Sequence, residues 1–549
     1  MASRQVDVVI AGGGPAGLTL AIELGRRGVS CLLFDDKPGT TANPQAHATQ
    51  ARTMEHYRRL GFAHEVRALG LPGDYPTDMV CCTRFAGHEL ARFKRPSAKQ
   101  ATDAARTSAG SWSTPELPHR CALMFVEPVL RRHAEKFGSV DVRFGWRVLR
   151  FRDGPDGVEV DAERNDGGER RTVLARHLVG CDGPRPTVRR QLGIAMQGEK
   201  RFEREWMAGK MHAMYFRAPA LYHVMNRPPA WMYFTINKDR RSVLVAVNGT
   251  DTFVVNAQLK PHEQDDAISE QRARGMWEEA LGGTCPIEVI SQAVWHGGYM
   301  LVAERYAHGR VLMAGDAVHL FTPTAGLGYN TAVDDVCNLG WKLAAVLQGW
   351  GGEKLLASYE IERRPVGLRN TRIAKSLADS IGLHRASPAL EEESAAGTAE
   401  RKTSGEYLLD HLQREFNIPG VTFGVRYDGS PIVVSDGTAP PPDHANNYVP
   451  TACPGGRAPH WWLPDGSSLF DRFGREFTLL VTVADASAAQ GFVASAAAQR
   501  IPLDVLHLPH RALRELYEAD LALIRPDQHV AWRGGSADAA ATLARATGH

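Results

Sequence analysis

Nowhere in the 549 residues do apolar side chains run unbroken for the ~18 positions a membrane span needs. No basic leader with an apolar segment precedes the first strand-like stretch, so a cytoplasmic location is expected. Charge of one sign is also scarce. The 64 Lys and Arg residues against 62 Asp and Glu leave a net +2, and the basic residues are scattered, so neither nucleic acid nor an anionic membrane is an expected partner. The eight cysteines (Cys31, Cys81, Cys82, Cys121, Cys181, Cys285, Cys337 and Cys453) show no C-x-x-C and no metal-ligand spacing. They read as reduced, buried thiols, and no metal site is expected. The chain also lacks an internal repeat, a P-loop and a nucleophile-elbow G-x-S-x-G. At 43% hydrophobic and 23% charged it is an ordinary globular composition, long enough for about three or four domains acting on a small molecule.

What is present begins with Asp7-Val-Val-Ile-Ala-Gly-Gly-Gly-Pro-Ala-Gly17, an apolar run that breaks into glycines and then into the helical periodicity of Leu18 to Gly25. Gly12, Gly14 and Gly17 fill a G-x-G-x-x-G pattern, with Pro15 and Ala16 between them. Absent side chains there let backbone approach a pyrophosphate and aim a helix N-terminus at its charge. A second apolar run, Ser30 to Phe34, ends in Asp35 at the spacing expected of a ribose contact, with Asp36 beside it as the alternative.

Residues 43–61, reading Asn-Pro-Gln-Ala-His-Ala-Thr-Gln-Ala-Arg-Thr-Met-Glu and then His-Tyr-Arg-Arg-Leu-Gly, make the pattern specific. A glycine fingerprint followed by an A-R-T-M-E helix start resembles the FAD-dependent aromatic hydroxylases, the group A flavoprotein monooxygenases, in their phenol hydroxylase-like branch. By that resemblance the segment lies along the flavin and Arg52 is a cofactor residue. Gln45 stands where the family often has Arg or Lys, and Leu123 where it often has Gln, at the start of a helix expected from Arg120 onward. His47 occupies the place of an acidic residue thought to act on the substrate hydroxyl. A histidine with an ordinary pKa near ~6.5 can take a phenolic proton there, or can simply hydrogen-bond backbone.

Three further stretches extend the resemblance. Cys181-Asp182-Gly183 after an expected strand is similar to the family's D-G motif, where FAD and NAD(P)H approach one another, although Pro186 replaces its usual serine. From Phe202 to about Tyr299, alternating runs predict a mostly antiparallel sheet, which by the resemblance roofs an aromatic substrate, with His212, Tyr215, His223, Trp231 and Tyr233 as lining candidates, although core packing is the commoner role of such residues. Then Gly315-Asp316 through His319, Pro323, Gly326, Leu327, Gly328, Tyr329 and Asn330, continuing to Asp334, Asn338, Trp341 and Lys342, matches the family's second FAD motif. Asp316 is expected on the ribityl chain. Pro323 and the small residues are expected against the isoalloxazine ring, and Pro323 also near the substrate. A helix around Leu355 to Arg364 is expected to end at Pro365.

The expected fold class is α/β and α+β: a Rossmann-like FAD-binding domain, a β-sheet substrate domain and, because Pro454 to His460, Ser468 to Gly474, Phe477 to Thr482 and Ala522 to Arg533 resemble that unit of the phenol hydroxylase branch, a thioredoxin-like C-terminal domain. The boundaries read as 1–190 with an insertion near 75–118, 191–300, 301–390 returning to the FAD-binding domain, a linker or excursion over 391–445, and 446–549. With Cys453 as the only cysteine after Cys337, the last unit lacks a dithiol pair and is expected to be structural or dimer-related. The resemblance implies hydroxylation of a small phenolic substrate with O2 and NADPH or NADH through a flavin hydroperoxide, and it admits a homodimer. Baeyer–Villiger oxygenation, epoxidation and a flavin-binding sensor are the alternatives the residues leave open.

Overall fold

The computed structural model describes residues 4–199, 209–263 and 267–549. Phe202, where the alternating block is expected to begin, lies outside them. The opening strand Arg4–Ala11 sits inside a parallel array. It pairs with Cys31–Asp35 on one side and Arg170–Gly180 on the other, with Val140–Phe144 and Val311–Met313 beyond. Val8, Val9 and Ile10 are fully buried, as befits a strand covered by helices on both faces. The antiparallel meander Trp146–Gly154, Gly157–Arg164 and Arg170–Gly180 extends this sheet, and Val311–Met313 returns from about 130 residues later in the chain to complete it.

The second large sheet has seven strands in the order Glu288–His296, Lys210–Arg217, Thr252–Gln258, Ser242–Ala246, Met232–Thr235, Met79–Cys82 and Glu89–Phe93. Its last two strands come from the segment expected as an insertion in the FAD-binding domain. That segment is an integral edge of the substrate sheet, paired in parallel through Met232–Thr235 with Met79–Cys82.

Two expectations about helices are corrected. Glu353–Leu383 is one helix of 31 residues that runs through Pro365. The missing amide removes one hydrogen bond, but the buried face on either side, including Tyr359, Val366, Ala374 and Ile381, outweighs that local loss. The stretch read as a linker contains a 22-residue helix, Ala395–Phe416, capped by Ser394 through the Gly397 amide. Gly405 lets it lie directly on the edge strand: a β-carbon there would sit 2.3 Å from the Leu90 carbonyl oxygen. An edge strand covered in this way is protected from stray pairing.

The C-terminal sheet has the order Leu503–His507, Phe477–Val481, Leu521–Ile524 and Val530–Gly534. Its first pair is parallel and the rest antiparallel, with helices Ala489–Ala498, Arg511–Tyr517 and Ala539–Ala546 between and after the strands. This is a thioredoxin-like topology. Among the described residues no helix is long and apolar enough to cross a membrane, and no group of His, Cys, Asp and Glu is arranged to hold a metal ion.

Candidate functional site

The three fingerprint glycines do three different jobs. Gly12 has φ +107, and a β-carbon there would lie 2.1 Å from the Cys181 carbonyl oxygen, so it makes the tight turn against the neighbouring strand. A β-carbon at Gly17 would lie 1.9 Å from the Gly12 oxygen, which makes this the close contact between helix and turn. Gly14 would meet nothing within 4 Å. It caps the helix Pro15–Gly25 without a side-chain hydrogen bond and without an acidic residue in the first turn, leaving amides free for an anion. Asp35 pins this turn, its carboxylate accepting from the Gly13 amide at 2.5 Å and the Lys37 amide at 2.8 Å. Each oxygen keeps a lone pair for a ribose hydroxyl.

The Gly315 loop closes on the same place. With φ +64, a β-carbon at Gly315 would stand 3.0 Å from that of Ala332 and 3.5 Å from that of Ala16, at the start of the glycine-turn helix. Asp316 is open to solvent and no hydrogen bond engages its carboxyl among the described residues, yet the protein around it raises its pKa. A side chain both accessible and surrounded lines a recess. Asp182 lies beside Gly12. One of its oxygens accepts from the Thr187 and Val188 amides at 2.7 and 3.0 Å, the other is buried without a partner among the described residues, and burial raises its pKa.

Further along, Pro323 is exposed, and Ala325 and Gly326 both take left-handed conformations (φ +59 and +61). The Ala325 amide donates to Glu415 at 2.9 Å and its carbonyl accepts from the Gln50 side chain at 2.9 Å, which holds an otherwise unfavourable backbone in place. Leu327 is buried and opens the helix Leu327–Gln348, while Gly328 is only partly buried. Two residues expected on the cofactor turn their side chains elsewhere. The Asn330 amide spends both donors on the Ala48 and Gly326 carbonyls (2.8 and 2.7 Å) and its oxygen on the Gln50 amide and Thr53 hydroxyl (2.8 and 2.7 Å). It is a staple between the two halves of the cleft. The Tyr329 hydroxyl meets that of Tyr57 at 2.5 Å in the core.

Arg52 is a plainer correction. Its guanidinium donates to Glu55 at 2.8 Å, to the Gln528 side chain at 3.1 Å and to the Asp527 carbonyl at 2.5 Å, so it is spent on the C-terminal unit. The end of the long motif has the same destiny. Lys342 and Asn338 donate to Glu362 at 2.6 and 2.7 Å, Arg525 grips the same carboxylate at 2.8 Å through two nitrogens, and Trp341 packs edge-on against Phe477. The spacing is real, but half of it docks a domain.

His47 belongs to a short ladder. Its carbonyl accepts from the Cys121 amide and that of Gln45 from the Leu123 amide, while Ala48–Thr49 pairs antiparallel with His119–Arg120. Arg120 is therefore strand, and the following helix begins at buried Leu123. Gln45 is exposed. His47 is partly open, and burial pushes its pKa down to about 4. Like Asp316, it is a group lining a recess.

Register decides which sheet residues face this recess. Tyr215 lies opposite Ser291, whose hydroxyl reaches Asn43 in the loop leading to His47 at 2.8 Å, so Tyr215, Ser291 and their same-face neighbour Asn256 look toward the cleft. His212 points to the other face, where it meets Gln292 at 3.0 Å, and Tyr233 also faces that way, receiving the Ala230 amide at 2.6 Å. His223 is exposed on the short helix Leu221–Met225, which packs on that back face through Tyr222 and Phe253. These three are not lining residues: period-two alternation assigns His212 and Tyr233 to the face covered by helix Glu270–Leu281, and His223 sits on a helix packed on that same face. Trp231 is buried beneath the Arg120 guanidinium, 4.4 Å from its ring centroid. Arg120 escaped notice in the sequence, where nothing distinguishes an arginine that will lack a counter-ion.

The features at Gly14, Asp35, Gly315 and Asp316 fit FAD: free helix amides for a pyrophosphate, and carboxylates for ribose and ribityl hydroxyls. Comparison with known proteins agrees. The FAD binding domain family matches residues 5–374 and the family described as aromatic-ring hydroxylase, C-terminal, matches residues 451–549. The chain is 32% identical to the FAD-dependent monooxygenase apdD of Emericella nidulans over 567 residues, covering 96% of this chain and 87% of that one. It is 28% identical to a phenol 2-monooxygenase from a Pseudomonas species, covering 97% and 90%. Among solved structures, RebC with bound 7-carboxy-K252c superposes with a TM-score of 0.89 at 32% identity over 100% of both chains. Sequence motifs, topology and full-length similarity thus coincide, and the chain belongs to the FAD-dependent aromatic-ring hydroxylases, the flavoprotein monooxygenases of the phenol hydroxylase branch.

Proposed function

We propose that this protein hydroxylates a phenolic ring held between the Tyr215 face of the substrate sheet and the recess containing His47 and Asp316. The observation that carries the reading is the closure of two distant loops on one place: Gly315 stands against Ala16 at the uncapped helix N-terminus, beside two carboxylates positioned for a polyhydroxylated cofactor. The uncapped helix after Gly14, with Asp35 and Asp316, would hold FAD there, and FAD would supply the two-electron chemistry that couples NADPH or NADH to O2. The chain's own part is to bind, orient and keep water out.

His47 is neutral at working pH and offers a ring nitrogen to the substrate hydroxyl. Its lowered pKa of about 4 changes its role from the one the residue type suggests. The gap from a phenol near ~10 corresponds to roughly 8 kcal/mol against complete transfer, so His47 accepts the phenolic hydrogen bond and polarises the hydroxyl without taking the proton. Screening flavin-loaded protein with phenols for stimulated NAD(P)H consumption, with product identification, tests the reaction class. In His47→Ala, turnover at saturating phenol should fall at least tenfold, and recover as pH approaches the substrate's own pKa; an unchanged rate and pH profile would remove His47 from the mechanism.

A further inference from the structure

We propose that Arg120, supported by Arg95, forms an anion subsite that receives a carboxylate carried by the aromatic substrate. This deepens the hydroxylase reading and rests on it for the identity of the ligand. Arg120 is only 5% exposed, and no hydrogen bond or ion pair engages its guanidinium among the described residues; Nη1 is fully enclosed and has no partner. Of the other buried arginines of this protein, Arg363 has Asp334 and Asp335, Arg457 has Glu55, Arg525 has Glu362 and Asp527, and Arg240 has Glu263 and Glu279, whereas Arg241 donates to the Ile381 and His384 carbonyls. Arg95, between the strand Glu89–Phe93 and the helix Ala98–Thr107, likewise meets no side-chain acceptor among the described residues. Its guanidinium lies over Trp112 and Phe93 at 5.6 and 5.8 Å. Burial and then the like charge of Arg95 lower the proton affinity of Arg120, yet a guanidinium remains charged at any working pH. A buried cation facing another cation and a tryptophan ring is an incomplete arrangement, and an anion completes it.

Position indicates which anion. Arg120 is the ladder partner of Ala48, next to His47, and a β-carbon at Gly326 would come within 3.2 Å of the Ala48 β-carbon. From there the side chain reaches Trp231, at the start of a strand of the substrate sheet. The guanidinium therefore lies at the seam between the ladder and the sheet, and the cofactor's pyrophosphate has its own helix N-terminus elsewhere. The planar fork of Arg matches a carboxylate in two-point fashion.

The test uses the full-length, flavin-loaded protein and matched acid and carboxamide pairs of one-, two- and three-ring phenols, for example 1-hydroxy-2-naphthoate and its amide. Binding is followed by calorimetry and turnover by NAD(P)H consumption. Wild type should favour the acid of at least one pair by about 100-fold, Arg120→Met should reduce that ratio to about threefold or less with the amide affinity retained, and Arg120→Lys should restore about tenfold. Without ligand, Arg120→Met should melt above wild type, since it removes an uncompensated charge, and the acid should raise the melting temperature of wild type only. No acid preference in any pair, a preference that survives in Arg120→Met, or a lower melting temperature for the ligand-free variant overturns the subsite. If the acid binds through Arg120 but no phenol stimulates NAD(P)H consumption, the subsite stands and the hydroxylase reading falls. If amides are hydroxylated as well as acids, the reverse holds.

Discussion

Replacing Asn330 by alanine should loosen the hold on FAD without touching any atom that contacts it. The side chain makes four hydrogen bonds of 2.7 to 2.8 Å, to the Ala48 and Gly326 carbonyls, the Gln50 amide and the Thr53 hydroxyl, and it is buried. At about 1 kcal/mol each the loss is bounded near 4 kcal/mol, and rehydration of the carbonyls that border the cleft lowers it to about 2–3 kcal/mol. The groups released hold Gly326 against Ala48, so this energy is drawn from the loop geometry that the cofactor needs. At 1.4 kcal/mol per factor of ten, FAD affinity should fall about 30- to 150-fold. Titration of apoprotein with FAD, read by flavin fluorescence, measures this directly. Asn330→Asp should do at least as much harm as alanine, because it places a carboxylate against two carbonyl oxygens. Asn370→Ala on the adjacent long helix loses its bond to Thr331 (2.9 Å) and a long one from Arg369 (3.4 Å), neither of them to the loop, and should leave FAD affinity within about threefold. Should Asn330→Ala bind FAD as wild type does, or Asn330→Asp be the milder change, the staple is not what shapes the loop.

Burial raises the Asp316 pKa above 3.8, so its favourable contribution to the cofactor-free fold is present at low pH and is lost as pH rises through the folded value. Asp316→Asn should therefore melt above wild type at pH 7 without FAD, converge with it near pH 4, and bind FAD at least tenfold more weakly; equal melting curves at both pH values would contradict this. Burial alone would raise the Glu362 pKa, but Arg525 and Lys342 bring it down from 4.5 to about 2, so its contribution is lost as pH falls through that window. Glu362→Gln should cost about 3–5 kcal/mol at neutral pH and flatten the decline in stability between pH 4.5 and 2, as denaturant unfolding at several pH values would record. On the sheet, Tyr215→Phe should change KM for the phenol severalfold, while His212→Gln, on the opposite face, should leave KM alone; the reverse pattern would mean the register is misassigned.

Much of this protein was legible in the chain because its cofactor sites are built from local geometry. The turn at Gly12, Gly14 and Gly17 is dictated by steric conflicts within a few residues and with the next strand. Alternating patterns announced a sheet, and the C-terminal fold was announced only by resemblance, its βαβαββα order being seen in the structure. What the chain could not disclose were matters of distance. One motif runs from Asp316, which we propose for the flavin, to Lys342, which holds a domain joint, because only packing settles which side of a helix meets protein. Arg52 was assigned to the cofactor and is held by Asp527, 475 residues later. His212 and Tyr215 lie three residues apart on one strand and face opposite layers, an outcome set by pairing register. Arg120 is one arginine among many until the fold surrounds it and, among the described residues, supplies no counter-ion, since a missing partner is a property of the tertiary arrangement and has no signature in the residue itself.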